Sequence, residues 1–201
     1  MMTVHLARST QLTRSTVPAM AQEAAVPGQI LGAESFRASM SKLTTGVVLV
    51  TALIDDRPWG VTLSSVSSFS ADPARLSLSV THRSALGQHL SRHHAAFGVS
   101  ILTDKLAPLA QQLATPGKPK FIPAPYLAED GPTTPPTIQG AMDNLHCRVA
   151  HVVQALDHIL VIADVVASVV GSEVAHARPL AYFDRSFGSF APSTTEGDQQ
   201  Q

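Results

Sequence analysis

The chain reads as a mainly β protein, an antiparallel barrel with a few short helices packed outside it. Three observations carry that expectation. Runs of alternating or β-branched residues recur at Val47–Ile54, Arg75–Val80, Leu145–Leu156 and His158–Val170. Turn signals at Asp55-Asp56-Arg57-Pro58 and at Asp157 join neighbouring runs as hairpins rather than as βαβ units. Helical periodicity is confined to three short segments, too little for a helix after every strand.

Taken in order, Glu34 to Leu43 predicts a short helix with Phe36, Met40 and Leu43 on one face, Ser35 as its cap and Gly46 just beyond its end. Val47 to Ile54 is a buried strand and Trp59 to Ser65 its return strand. In Arg75–Val80, Leu76, Leu78 and Val80 share one face and Arg75, Ser77 and Ser79 the other, which predicts a half-buried strand. Ser84 caps a helix running to about His93, with Leu86 and Leu90 one turn apart. A strand over Ala95–Leu102 precedes an amphipathic helix over Lys105–Leu113, with Leu106, Leu109, Ala110 and Leu113 on its apolar face. Thr115 to Thr137 is a long proline-rich loop, and a loop of that length in a compact domain usually has a function of its own. Two long strands follow, the first with Leu145, Cys147, Val149, His151 and Val153 on one side. A last strand covers Leu180–Phe183, and 184–190 closes the domain.

The 201 residues suffice for one domain with a full core, expected over 33–191. Residues 1–32, mixed in Ser, Thr, Ala and Pro, are expected as a disordered leader without the apolar region of a secretory signal, and 192–201 as a disordered tail. A cytoplasmic location follows from this reading. Charged residues make up only 14% and the net charge is -1, which speaks against a nucleic-acid partner. No apolar run reaches the roughly 18–20 residues that cross a bilayer. The single Cys147 excludes an intramolecular disulfide and a cysteine-rich zinc site.

Hydrolase elbows, metalloprotease helices, Walker loops and dinucleotide fingerprints are all absent. His93-His94 reads as a surface pair, since no carboxylate or thiol stands at ligand spacing, and Cys147 as a buried strand residue. The hydroxyl row Thr62, Ser64, Ser65, Ser67, Ser68 and Ser70 reads equally as the polar face of an exposed strand or as a ligand site. In the second case Thr62 and Ser64, on one face, converge on a flat anionic ligand.

From Phe36 to Phe190 the chain resembles the flavin reductase family, which has a split-barrel FMN-binding fold and includes the reductase components of two-component flavin-dependent monooxygenases. The resemblance rests on the order and spacing of several segments. They are Phe36-Arg37-Ala38-Ser39-Met40, Thr45-Gly46-Val47-Val48-Leu49-Val50-Thr51 and the stretch from Gly60 to Ser70. Asp72-Pro73, His82-Arg83-Ser84, Phe97 to Leu102, Lys120-Phe121, Asp157-His158 and Pro179 to Phe183 complete the set.

The resemblance implies a homodimer whose barrels bind FMN or FAD, with NADH or NADPH as hydride donor. Thr62, Ser64 and Ser65 would contact the ring or ribityl chain, and Thr45 and Gly46 belong to the same binding set. Arg83 and Ser84 would hold the phosphate, where a helix start also favours an anion. Lys120 and Phe121 would lie near the phosphate or ring, and His158 and Tyr182 near the nicotinamide. His158 also reads as an ordinary residue beside a turn, and Phe121 and Trp59 equally as core or dimer packing. The implied reaction is NAD(P)H:flavin oxidoreduction that supplies reduced flavin to a monooxygenase. The chain departs from the family pattern at Ser100, where Asn is common, at Leu156, where Gly is common, and in the loop before Phe121, which lacks the usual acid. Those departures motivate two alternatives: a flavoenzyme that keeps its flavin for another small substrate, and a non-catalytic flavin-binding protein.

Overall fold

In Val48–Ile54 every residue is apolar or a threonine, so a strand there can be buried on both faces. The computed structural model describes residues 30–128, 135–171 and 177–191 and puts this strand near the middle of a large sheet. The described strands are β1 (Thr45–Gly46), β2 (Val48–Ile54), β3 (Arg57–Leu63), β4 (Ser67–Ala71), β5 (Ala74–Thr81), β6 (Ala96–Ile101), β7 (Asp143–Ala155), β8 (His158–Val170), β9 (Leu180–Phe183) and β10 (Ser186–Ser189). The α-helices are α1 (Ala33–Met40), α2 (Ala85–Leu90) and α3 (Ala107–Ala114). Seven strands form an antiparallel sheet in the order β3-β2-β6-β7-β8-β5-β4, and β1-β9-β10 form a small second sheet.

The sheet must curl. Its two edge strands, β3 and β4, are consecutive in the chain and linked only by Ser64–Val66. Four Cα steps from Leu63 to Ser67 reach at most about 15 Å. Seven flat strands would hold those edges about 29 Å apart. The barrel is therefore closed at a seam by a covalent link, without ladder hydrogen bonds between β3 and β4. The mainly β, split-barrel architecture expected from the sequence is the one found.

Alternate residues of β2 feed two cores. Val48, Val50 and Ala52 face the barrel interior with Leu78, Phe97, Val99, Val149 and Val161. Leu86 and Leu90 of α2 join that cluster, so α2 stops one mouth of the barrel. Val47 and Leu49 face outward into a second cluster with Leu109 and Leu113 of α3, Ile122, Ile138 and Leu180. Short turns set the registers. Asp55 and Asp56 have φ of 51° and 56°, the paired left-handed geometry that suits a two-residue hairpin turn.

Several expectations need correction. β1, β4 and β10 add to the seven strands read from the sequence, and β3 ends at Leu63 rather than Ser65. Helix α1 starts at Ala33 and is capped by the backbone of Gly32 rather than by Ser35. Its predicted face is left exposed in the single chain, with Phe36 at 55%, Met40 at 46% and Leu43 at 56%. The Lys105–Leu113 helix divides into a 3-10 turn at Asp104–Leu106 and α3, with Pro108 in the first turn, where its missing N–H costs nothing.

The one-sided row on β7 also breaks. Val149 pairs with Ala163 but His151 pairs with Ile162, so Ala150 is an extra residue. A one-residue bulge exchanges the faces of everything beyond it. Val152 therefore packs against the barrel core, and His151 and Val153 are exposed. The expected leader and tail lie outside the described residues, apart from 30–32.

Leu90 is fully buried in the plug at the barrel mouth. Leu90→Ala is expected to cost about 2–5 kcal/mol, read as a lower urea midpoint with an unchanged slope.

Candidate functional site

The outer face of β3, next to the seam, forms one wall of a cleft of about 240 Å³. Its lining combines Thr62 and Ser64 from β3 and the seam, Gln111 and Ala114 from α3, and Tyr182, Arg185 and Phe187 from the small sheet. Strand alternation puts Thr62 and Ser64 on the same side, as the spacing predicts. Thr62 Oγ1 donates to the Ala110 carbonyl at 2.7 Å, which ties α3 to the strand. Its proton is committed, so towards a ligand this hydroxyl offers lone pairs. Tyr182 lies edge-on to Phe187 with centroids 5.4 Å apart and is in register with Thr45. Gly46, paired with Ala181, lines a neighbouring apolar cavity of about 450 Å³ at the open barrel mouth, and Val47 is common to both spaces.

Ser65 donates to the Ser79 carbonyl at 2.8 Å and stitches the seam to β5. Following β5 from Ser79 to Thr81 leads to a second concavity, lined by Thr81, His82, Arg83, Gln154, Leu156 and Asp157. Here the β5–α2 junction meets the β7–β8 hairpin: Thr81 is in register with His158, and the His82 N–H donates to the Asp157 carbonyl at 2.9 Å. Leu156 holds a φ of 54° at the hairpin turn, the left-handed region that glycine adopts without penalty.

Ser84 is the α2 N-cap, as read from the sequence. Its Oγ accepts from the Gly87 N–H at 2.9 Å and donates to the Thr81 carbonyl at 2.8 Å. As placed, the hydroxyl has no proton to spare, and Arg83 lines the neighbouring concavity. Gly87 is needed there, because a Cβ would stand 2.2 Å from the Thr81 carbonyl oxygen.

His158 Nδ1 lies 2.8 Å from Asp157 Oδ1, on the exposed surface. That hydrogen bond is the largest cause holding the Asp157 carboxyl below its usual value.

Lys120 and Phe121 line neither concavity. Lys120 Nζ donates to the carbonyls of Leu113 at 2.6 Å and Thr115 at 2.7 Å, satisfying backbone acceptors at the end of α3. Partial burial lowers the affinity of that amine for its proton. Phe121 meets Trp59 edge-on at 4.9 Å, with the Arg57 guanidinium 5.4 Å from its centroid. Cys147 is buried, and burial pushes its thiol up to about 12, so it is inert in acid–base terms.

The structure thus brings Thr62, Ser64 and Tyr182 together, connects them through Ser65 and β5 to Arg83, Ser84 and His158, and keeps Lys120 and Phe121 behind α3. Sequence reasoning missed Gln111, Arg185 and Phe187. The signal for the last two was the turn-and-strand pattern Asp184-Arg185-Ser186-Phe187-Gly188, in which a charge and an aromatic two residues apart flank one turn. Among the described residues no helix is long and apolar enough to cross a membrane.

Ser84→Ala is expected to cost about 1 kcal/mol, the usual worth of such a cap, in chemical denaturation. The depressed Asp157 carboxyl contributes its interaction above the unfolded-state value and loses it as pH falls through the lower folded-state value. In His158→Ala the Asp157 carboxyl is expected to titrate at a higher pH than in the parent, by carboxyl carbon NMR. An unchanged titration would show that the His158 contact is not formed.

The model of the flavin reductase like domain matches residues 40–191 of this chain. A protein of Streptomyces pristinaespiralis described as an NADH:riboflavin 5'-phosphate oxidoreductase is 34% identical over 82% of this chain and 92% of its own length. The reductase component of a 4-nitrophenol 4-monooxygenase/4-nitrocatechol 2-monooxygenase from Rhodococcus opacus is 32% identical over 82% of this chain and 84% of its own length. Among solved structures, the styrene monooxygenase flavin reductase of Pseudomonas putida S12 superposes with a TM-score of 0.66 at 26% identity, covering 78% of this chain and 98% of that one. With a rolled antiparallel sheet, a hydroxyl-lined cleft at its seam and these likenesses in hand, the chain belongs to the flavin reductase like family.

Proposed function

We propose that this protein is an NAD(P)H:flavin oxidoreductase that supplies reduced flavin to a partner monooxygenase. The observation that carries the reading is that the cleft at Thr62 and Ser64 is tied, by the Ser65–Ser79 hydrogen bond, to β5, the strand that leads to the concavity at Arg83. From Ser79 to Arg83 an extended chain covers about 13 Å, a reach suited to a flat ring at one end and a phosphate at the other. The residues present fit such a group. Thr62 and Ser64 would hold the ring, with Thr45 and Gly46 in the same binding set, and Arg83 and Ser84 would hold the phosphate.

When bound, FMN or FAD supplies the redox chemistry, accepting a hydride from the nicotinamide. The chain's own residues bind, orient and exclude water, and no protein acid or base is needed at the transferred atom. Tyr182, held by Phe187, borders the ring end, where the nicotinamide would approach, whereas His158, held by Asp157 and in register with Thr81, stands at the Arg83 end and would act on the phosphate side. Lys120 and Phe121 belong to the binding set through the wall they support. Their own side-chain contacts are with α3 and with Trp59 and Arg57.

The working unit in this reading is residues 33–191 as one domain, cytoplasmic, in a homodimer. The exposed apolar face of α1 and the exposed Leu160 and Val166 on β8 support association, since patches of this kind cost free energy in a lone chain.

The test is nicotinamide absorbance with NADH and with NADPH, with and without added FMN. Oxidation is expected to rise with added flavin, and Tyr182→Ala is expected to lower turnover about tenfold. Bound flavin with no nicotinamide oxidation would overturn the reductase reading and leave a flavin-retaining or carrier protein.

A further inference from the structure

We infer that Asn144 is a positioning residue: its side-chain amide takes the place of a missing strand and holds 135–141, and through it 120–128, as the outer wall of the flavin site. Asn144 lies on β7, directly across from Ser100 on β6, and is 6% exposed. Its Oδ1 accepts from the Ile138 N–H at 2.9 Å and from the Ser100 hydroxyl at 2.6 Å, and its Nδ2 donates to the Ile138 carbonyl at 3.2 Å. A primary amide thus satisfies both backbone groups of one residue, as a neighbouring strand would. An apolar side chain of the same size makes neither bond.

What is held matters to the site. Ile138 is itself buried, in the same core as Leu113 of α3 and Ile122. It bridges to Leu127, while the Gln139 N–H donates to the Tyr126 carbonyl and the Ala128 N–H to the Thr137 carbonyl. Those bonds fix the turn at Ala124–Tyr126 and, through Ile122, the stretch that runs along the edge of β3. There the Gly60 N–H donates to the Lys120 carbonyl at 2.8 Å and the Ile122 N–H to the Pro58 carbonyl at 3.0 Å. Lys120 in turn holds the end of α3, whose Gln111 and Ala114 wall the cleft beside Thr62. One buried amide therefore stands at the root of a chain of contacts that ends at the cleft wall and at the packing of Phe121 on Trp59. Asn144 itself lines no part of the cleft.

The kinetic arm of the test rests on the reductase reading, but two of its readouts do not. Trp59 is the only tryptophan, so its emission reports the Trp59–Phe121 contact directly. Flavin affinity is measured by titration without turnover. In Asn144→Leu the Trp59 emission is expected to shift, and flavin affinity to fall about tenfold, as the loss of buried hydrogen bonds predicts. The KM for flavin is expected to rise with kcat within about twofold, because the reacting atoms are not touched.

Ser100→Ala, which leaves both bonds to Ile138, is expected to change affinity by less than about twofold. If Asn144→Leu does not fold, Asn144→Asp serves: it keeps the shape and the acceptor, loses the donor, and is expected to show the same affinity loss and emission shift. Unchanged emission and affinity in a folded Asn144 variant would overturn the inference. So would an equal loss in Ser100→Ala, or a loss of kcat at constant KM. A parent protein that binds flavin without oxidising a nicotinamide would defeat the reductase reading and leave the emission and titration tests intact.

Discussion

The structure depends on one constraint: the two edges of a seven-stranded sheet are joined by three residues. The link forces the sheet to roll, so the apolar alternation of its strands converges on a closed interior. It also forces a seam, because β3 and β4 meet through Ser64–Val66 rather than through a ladder. A seam leaves backbone and hydroxyl groups without ladder partners. Ser65 satisfies one of them at Ser79, and Ser64 lines the cleft. The tie between cleft and β5 used to argue for flavin binding is thus a by-product of how the barrel closes.

The second organising feature is the burial of β2 on both faces. A strand with apolar residues on each side needs a cover outside the barrel. α3 and the stretches 115–128 and 135–141 provide it, and irregular chain laid over a core carries backbone groups that must be paired. Side chains of the sheet do the pairing. Thr51 bonds the Pro136 carbonyl, Asn144 both groups of Ile138, and Thr103 the Gly140 carbonyl. Gly98 belongs to the same arrangement, since a Cβ there would stand 2.4 Å from Thr51 Oγ1 and 3.1 Å from the Pro136 carbonyl oxygen. Ser100, which departs from the family pattern, donates to Asn144 within this network, so a polar tie is kept at that place in the sheet.

Much of this was legible in the chain. The alternation of Leu76, Leu78 and Val80, the Ser84 cap, the Asp55–Asp56 turn and the apolar face of α3 are local, and local patterns survive into the fold. Thr62 and Ser64 fell on one face because a strand has a period of two. The face exchange on β7 was not legible, because a bulge is set by the neighbouring strand's register and leaves no mark in the bulged sequence. β4 was not set apart from the hydroxyl row, which read equally as the polar face of an exposed strand or as a ligand site, and only pairing with β5 defines it. The helical spacing of Phe36 and Met40 was correct, with Leu43 just past the helix end at Met40, yet nothing in it says whether the partner surface belongs to the same chain.

The sequence by itself determined the class of fold, the position of the hairpins, the Ser84-capped helix and, through the order of its motifs, the family. Those follow from periodicity and turn chemistry, which act over a few residues. Only the tertiary structure decided that this capped helix plugs the barrel mouth rather than packing outside it, which hydroxyl protons are already spent, that Lys120 braces α3, and that Arg185 and Gln111 join Thr62 at one cleft. Each is a contact between segments far apart in the chain, and such contacts are set by how the sheet rolls and what must cover it.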